Sequence, residues 1–197
     1  MTEPSIRRAE PVEGKVLAKV IADAFHALPI CQWLVPDPAE RRQIMPANFQ
    51  LFVDLAIQHG TVHTTDELDA VAVWFSNAPE GIPEIPDYGT RLLAVCGQYT
   101  SKFQSLDETL AQAHPVGRPH EYLALLAVNP DVQSRGLGGR LLRARHDELD
   151  RAGVPAYLEA SGPRSRQLYL RNGYTDLAAP FTTPGGPDPA FWPMWRS

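Results

Sequence analysis

Three glycines beside two arginines, in "VQSRGLGGRLL" from Val132 to Leu142, have the clearest chemical potential in the chain. Bare main chain at the head of a helix suits an anion, because its N–H groups point outward and glycine lets a ligand come close. Spacing narrows the choice of anion. A nucleoside-triphosphate loop needs G-x-x-x-x-G-K-[ST], with the lysine on the phosphates; here Arg140 and Leu141 follow Gly139, and no lysine is near. A dinucleotide fingerprint needs G-x-G-x-x-G after a first strand. Gly136 and Gly138 meet half of it, but position 141 is leucine and the strand comes late. The pattern [QR]-x-x-G-x-[GA] is met in full by Gln133, Gly136 and Gly138. It would cradle a diphosphate on main-chain amides, with Arg135 and Arg140 adding ionic contacts. Close packing of a helix on a sheet is the competing explanation for the glycines.

The elements that must hold this loop follow from periodicity. "EYLALLAV" (121–128) is a nearly all-apolar run of strand length, as expected for a strand buried on both faces. After the loop comes a helix to about Ala152, ended by Gly153. "PAYLEAS" reads as a strand and "SRQLYLRN" as a short helix closed by Gly173. "YTDLAA" and "FWPMWR" read as closing strands about the turn-rich "TTPGGPDPA". Upstream, "SIRRAEP" reads as a first strand, 13–25 as a helix, and 36–60 as a helical segment bent near Pro46 and stopped by Gly60. "TVHTTDELDAVAVWFS" predicts two strands around an acidic turn, "NAPEGIPEIPDYG" a loop, and 90–113 a broken helical stretch. The order predicts one α/β (α+β) domain over residues 1–197, built on a twisted, open, mixed sheet.

Composition sets outer limits. The chain has 197 residues, 44% hydrophobic and 21% charged, which is ordinary for one globular domain. A net charge of −5 argues against nucleic acid and acidic membranes as partners. The expected location is cytoplasmic, since no run spans a bilayer and "MTEPSIRRAE" lacks the apolar core of a leader. Cys31 and Cys96 are expected to be buried free thiols, and no CxxC or HExxH spacing announces a metal.

Taken with its flanks, the loop resembles a known family. "LLAVNPDVQSRGLGGRLL" followed by "AYLEASGPRSRQLYLRNGY" is similar to the acetyl-CoA-binding half of the GNAT superfamily of N-acetyltransferases, closely over 121–177. The looser match upstream, in "AVAVWFS" and "ADAF", and the wording of "RAGVPAYLEASGPRS" resemble the puromycin N-acetyltransferase branch of actinomycetes. The resemblance implies a central strand splayed from its neighbour, acetyl-CoA as co-substrate, and no metal. Backbone groups of Leu126, Ala127 and Val128 would pair with the pantetheine arm. Gln133, Ser134, Arg135, Gly136, Leu137, Gly138, Gly139 and Arg140 would carry the pyrophosphate.

The resemblance also places Tyr169 near the sulfur, where a phenol that stays protonated at neutral pH can donate to the leaving thiolate; a packed core tyrosine is the alternative. Glu159, inside the apolar strand "AYLEAS", is the expected acceptor of the amine proton or holder of the amine, with a structural salt bridge as its rival. Glu121 is the next choice for the acceptor site, against a solvated strand edge, and Trp74 is a pocket wall or a core aromatic. Where many family members carry asparagine at the start of the short helix this chain has Ser165, which could cap that helix and still reach the donor. Arg143 and Arg145 read as a solvated helix face. The expected function is transfer of acetyl to a primary amine of a small molecule, such as an antibiotic, in a ternary complex. A non-catalytic acyl-CoA-binding regulatory module and an enzyme acting on a protein amine are the alternatives. The apolar "FWPMWRS" fits a closing strand or a homodimer contact.

Overall fold

The computed structural model describes residues 5–78 and 81–197. In chain order they form β1 (Ile6–Arg8), α1 (Gly14–Phe25), α2 (Pro29–Leu34), α3 (Pro38–His59), β2 (Thr61–Thr65), β3 (Ala70–Asn77), α4 (Tyr88–Cys96) and α5 (Thr100–Ala113). Then follow β4 (His120–Val128), α6 (Leu137–Ala152), β5 (Ala156–Ala160), α7 (Pro163–Leu170), β6 (Thr175–Asp176) and β7 (Trp192–Arg196). The strands make one open sheet in the order β1-β2-β3-β4-β5-β7-β6. Neighbours run antiparallel except β4 and β5, which are parallel.

Side-chain alternation along β3 builds both faces. Val71, Val73 and Phe75 enter one core cluster with α1 and α3, whereas Ala70, Ala72 and Trp74 enter a second with α6. An apolar strand with helices on both sides is the arrangement that an unbroken hydrophobic run anticipates.

Two features of β4 position the site. Its pairing with β5 covers Glu121↔Ala156 and Tyr122↔Tyr157, yet β4 continues to Val128 and β5 to Ala160. The strands therefore part toward their C-terminal ends, as the expected splay requires. The register with β3 also slips, from Val73↔Leu125 to Trp74↔Leu123. That bulge turns Ala124 and Leu125 to the same face, against the α1 cluster.

Several expectations shift in detail. The short α2 is not announced by the sequence pattern; Pro29 opens it and Ile30, Cys31 and Leu34 bury its inner face. The break in 90–113 falls at Gly97, with φ of 51° between α4 and α5. Pro46 lies inside an unbroken α3, whose start is capped by Asp37 accepting from Ala39 N at 2.9 Å and Glu40 N at 2.8 Å. In the proline-rich stretch, Pro79 and Glu80 lie outside the described residues. The final strand β7 inserts between β5 and β6. Cys31 and Cys96 are free and buried, and burial pushes the Cys31 thiol up to about 12.

Candidate active site

At the open end of the splay stands the glycine loop. Gly136 is the residue before α6 and takes φ of 82°, with no side chain to cap the helix. Ser134 is also left-handed, at φ 66°. The first amides of α6 have no partners within the helix, where the first backbone bond is Arg140 N to the Gly136 carbonyl. Gln133 Nε2 donates to the Val128 carbonyl at 3.1 Å and so pins the loop to the end of β4. From α7, Arg164 Nη2 donates to Ser134 Oγ at 3.1 Å. Sequence reading did not single out Arg164; its place in the first turn of the helix after β5 was the available signal.

The glycines divide between the two explanations offered for them. A Cβ on Gly138 would stand 3.2 Å from Leu168 Cδ2 and 3.9 Å from both Leu126 Cδ2 and Val128 Cγ2, so Gly138 serves close packing. A Cβ on Gly136 would meet nothing within 4 Å, and its backbone conformation sets the shape of the loop. Gly136→Val should therefore weaken coenzyme A binding about tenfold, because a β-branched residue at positive φ costs roughly 1–2 kcal/mol or reshapes the cradle. Calorimetry with coenzyme A checks this; an unchanged Kd in the folded variant would detach the loop from the donor site.

Tyr169 and Glu159 lie on the two sides of the splayed strands. Tyr169, on α7, is 7% exposed and joins the cluster of Leu123, Leu158 and Ala160. Its ring meets Tyr174 edge-on at 5.8 Å, and burial raises its phenol above the ordinary value. Its neighbour Leu168 touches the Gly138 position, so α7 brings Tyr169 next to the loop. Glu159 alternates to the opposite face, beside Tyr122 and Tyr157. Burial pushes its carboxyl up to about 7, opposed by the phenols of Tyr122 and Tyr157. Glu159 Oε1 is buried without a hydrogen-bond partner and stands 4.0 Å from His114 Nδ1. That is no salt bridge with a fixed cation, since burial and His120 push the His114 imidazole down to about 4.

A cavity of about 710 Å³ opens on this face. The end of β3 contributes Asn77, the loop after it Ala78 and Ile82, α5 contributes Leu110, and His114 and Tyr122 form its inner wall. His114 and Tyr122 stand between the cavity and Glu159. The two histidines were not among the expected site residues, because nothing in the local pattern marks His114 or His120 as partners of a strand residue 40 positions on.

The remaining expected residues are placed as follows. Leu126, Ala127 and Val128 pair with β3 through Ala72, Val71 and Ala70, leaving the edge toward β5 unpaired along the splay. Ser165 does not cap α7. Gly162 precedes the helix and the Ser165 hydroxyl donates to the Gly162 carbonyl at 2.9 Å. Trp74 is fully buried, edge-on to His146 at 6.1 Å, and so packs the core away from the cavity.

Glu121 is no solvated edge: its Oε1 accepts from Arg145 Nη2 at 2.8 Å, and both side chains are largely buried. Arg145 also holds Glu148 and so is not part of a solvated helix face. Glu121→Leu should cost about 3 kcal/mol in urea unfolding, because it strips a buried guanidinium of one partner. A loss below about 0.5 kcal/mol would mean that the pair is worth no more than an exposed one.

The chain is an open mixed sheet parted beside a glycine-headed helix, and comparison with known proteins says which fold this is. Residues 102–176 match the family model described as acetyltransferase (GNAT) domain. The whole chain has the GNAT acetyltransferase fold. A Corynebacterium glutamicum structure of histone acetyltransferase HPA2 and related acetyltransferase superposes with TM-score 0.73 at 24% identity, covering 99% of this chain and 96% of that one. Arylalkylamine N-acetyltransferase 2 of Aedes aegypti gives TM-score 0.66 at 10% identity over 99% of each chain. PaiA N-acetyltransferase of Thermoplasma acidophilum, in complex with coenzyme A, gives 0.62 at 9% identity over 100% and 99%. An uncharacterised N-acetyltransferase of Schizosaccharomyces pombe is 24% identical over 180 residues, 85% of this chain and 73% of that protein. Domain match and fold together indicate an N-acetyltransferase. None of these likenesses points to the puromycin branch. Among the described residues, no helix is long and apolar enough to cross a membrane, and no group of three or more His, Cys, Asp or Glu could hold a metal ion.

Proposed function

We propose that the chain moves an acetyl group from acetyl-CoA to a primary amine of a small molecule by direct attack in a ternary complex. The observation that carries this is the splay between β4 and β5, with Tyr169 on one side and Glu159 on the other. The residues present fit the donor: unpaired amides at the head of α6, the left-handed Gly136, and Arg164 held against the loop suit a diphosphate. The free edge of Leu126 to Val128 suits an extended amide-bearing arm. Tyr169 keeps its proton at neutral pH and donates it to the departing thiolate. Glu159 takes the proton lost by the attacking amine, through water or after a small shift of Tyr122 and His114.

The acceptor occupies the cavity beside Tyr122. Its apolar lining, with Ile82, Leu110 and Val116, favours an amine carried on an apolar or aromatic body. The arylalkylamine enzyme with the same fold acts in name on such amines, which supports this class. An antibiotic amine is one member of it. The test is thiol release from acetyl-CoA across a panel of amines that includes arylalkylamines, polyamines and puromycin. Thiol released only when a particular amine is present supports the proposal. Binding of acetyl-CoA with no release for any amine, or for a peptide amine alone, overturns it.

A further inference from the structure

The cluster of His114 and His120 has a polarity that follows from one backbone atom. His120 Nδ1 lies 2.6 Å from the Arg118 carbonyl oxygen. A carbonyl only accepts, so Nδ1 carries a proton. His120 is 2% exposed, and its burial favours the neutral ring, which leaves Nε2 as a bare acceptor. That nitrogen lies 3.0 Å from His114 Nε2, which must then be the donor. Asn77 Nδ2, at 3.4 Å, is a second donor toward the same lone pair. With its proton on Nε2, a neutral His114 turns a bare Nδ1 toward Glu159 Oε1, 4.0 Å away.

We infer that the Arg118 carbonyl locks both histidines as single tautomers, so that His114 offers Glu159 an acceptor and makes it a stronger base. The inference deepens the proposed reading of Glu159 as the group that takes the amine proton. Two facing acceptors with no proton between them explain why the buried Oε1 has no partner. A proton on Oε1 would turn a donor toward the bare Nδ1 across the 4.0 Å gap, whereas ionisation sets negative charge against its lone pair. Because the chain of donors ends on a carbonyl, it cannot be reversed. His120 could take a proton from His114 only by becoming a buried cation. The pair therefore positions and tunes Glu159 and does not conduct protons away.

Oε1 accepts no hydrogen bond among the described residues, although the Tyr157 phenol faces the carboxyl and favours its ionised form. The Tyr157 hydroxyl also lies 3.4 Å from the Ala113 carbonyl oxygen, to which it donates. Tyr122 adds a phenol from β4 that favours the ionised carboxyl, and Asp107 of α5 acts on that phenol in turn. Near His120, the Arg118 guanidinium lies over the Trp195 ring at 4.2 Å, and Glu121 is held by Arg145.

The experiment is nuclear magnetic resonance on the full chain without substrate, reading histidine 15N shifts and the 13C carboxyl titration of Glu159. His114 should show the Nε2–H form at neutral pH, and Glu159 should titrate near 7. His114→Gln, whose amide can donate, should lower that midpoint by about one pH unit or more. His120→Phe, which frees the His114 tautomer, should lower it as well. A His114 with its proton on Nδ1, or a Glu159 that titrates near 4 in the native chain, overturns the inference even if neither variant folds. So does an unmoved midpoint in folded variants. The lock stands and the base reading falls if these signals appear in a protein that releases no thiol with any amine.

Discussion

Replacing Tyr169 by phenylalanine should lower kcat by about 10²–10⁴-fold while leaving the fold and the affinity for acetyl-CoA near their native values. The ring is what packs, 7% exposed and edge-on to Tyr174, and phenylalanine keeps it. Among the described residues no group bonds the hydroxyl, so its removal breaks nothing inside the protein. On the proposed mechanism, what is lost is the donor for a leaving thiolate, whose need arises only as the thioester breaks. The loss should accordingly appear in kcat and not in KM for the donor. Steady-state kinetics on the amine found in the thiol-release screen measures it, with a thermal melt as the control for folding. Undiminished turnover would reduce Tyr169 to a packing residue.

Glu159→Gln should cut kcat/KM by a comparable factor, about 10²–10⁴-fold. It should also remove the rise of kcat/KM with pH near 7, where the native carboxyl loses its proton. An independent sign comes from stability. In the folded chain the Glu159 carboxyl is raised from 4.5 to about 7, so its stabilising effect is complete below about 4.5 and is lost as pH rises through about 7. Glutamine never ionises. The variant should therefore gain on the native protein in urea unfolding above pH 7 and lose that advantage in acid. A variant with native turnover and a native pH profile would leave Glu159 outside the chemistry, with its burial a matter of packing alone.

The elements from β4 to α7 were legible because what they require of the sequence is local. A run such as "EYLALLAV" declares a doubly covered strand, and glycines at fixed distances beyond it declare a helix head open to an anion. Tyr169 sits within one short helix, and its position relative to the loop follows from the strand and helix between them. Even here some roles moved. Ser165 bonds back to Gly162 in place of capping, and Gly138 turned out to serve packing. The residue type was visible in the string, but the atoms it would meet were not.

The residues expected to meet an acceptor show the opposite case. Glu121 and Arg145 look like surface charges at a strand edge and on a helix face, yet tertiary packing buries them against each other. Trp74 stands in an alternating strand and could have faced either way. Its face was decided by α6, which sets His146 against its ring.

By itself, then, the amino-acid string determined the class of fold and the order of the strand, the glycine-headed helix and the short helix that carries Tyr169, because periodicity and short-range spacing act over a few residues of chain. Only the folded chain decided where Glu159 points and what surrounds it. His114, His120, Tyr122 and Tyr157 come from a loop and two strands, and their rings meet within 4.8 to 6.0 Å. Protonation depends on burial and on neighbours in space, and those are set by which strands pair and where they part.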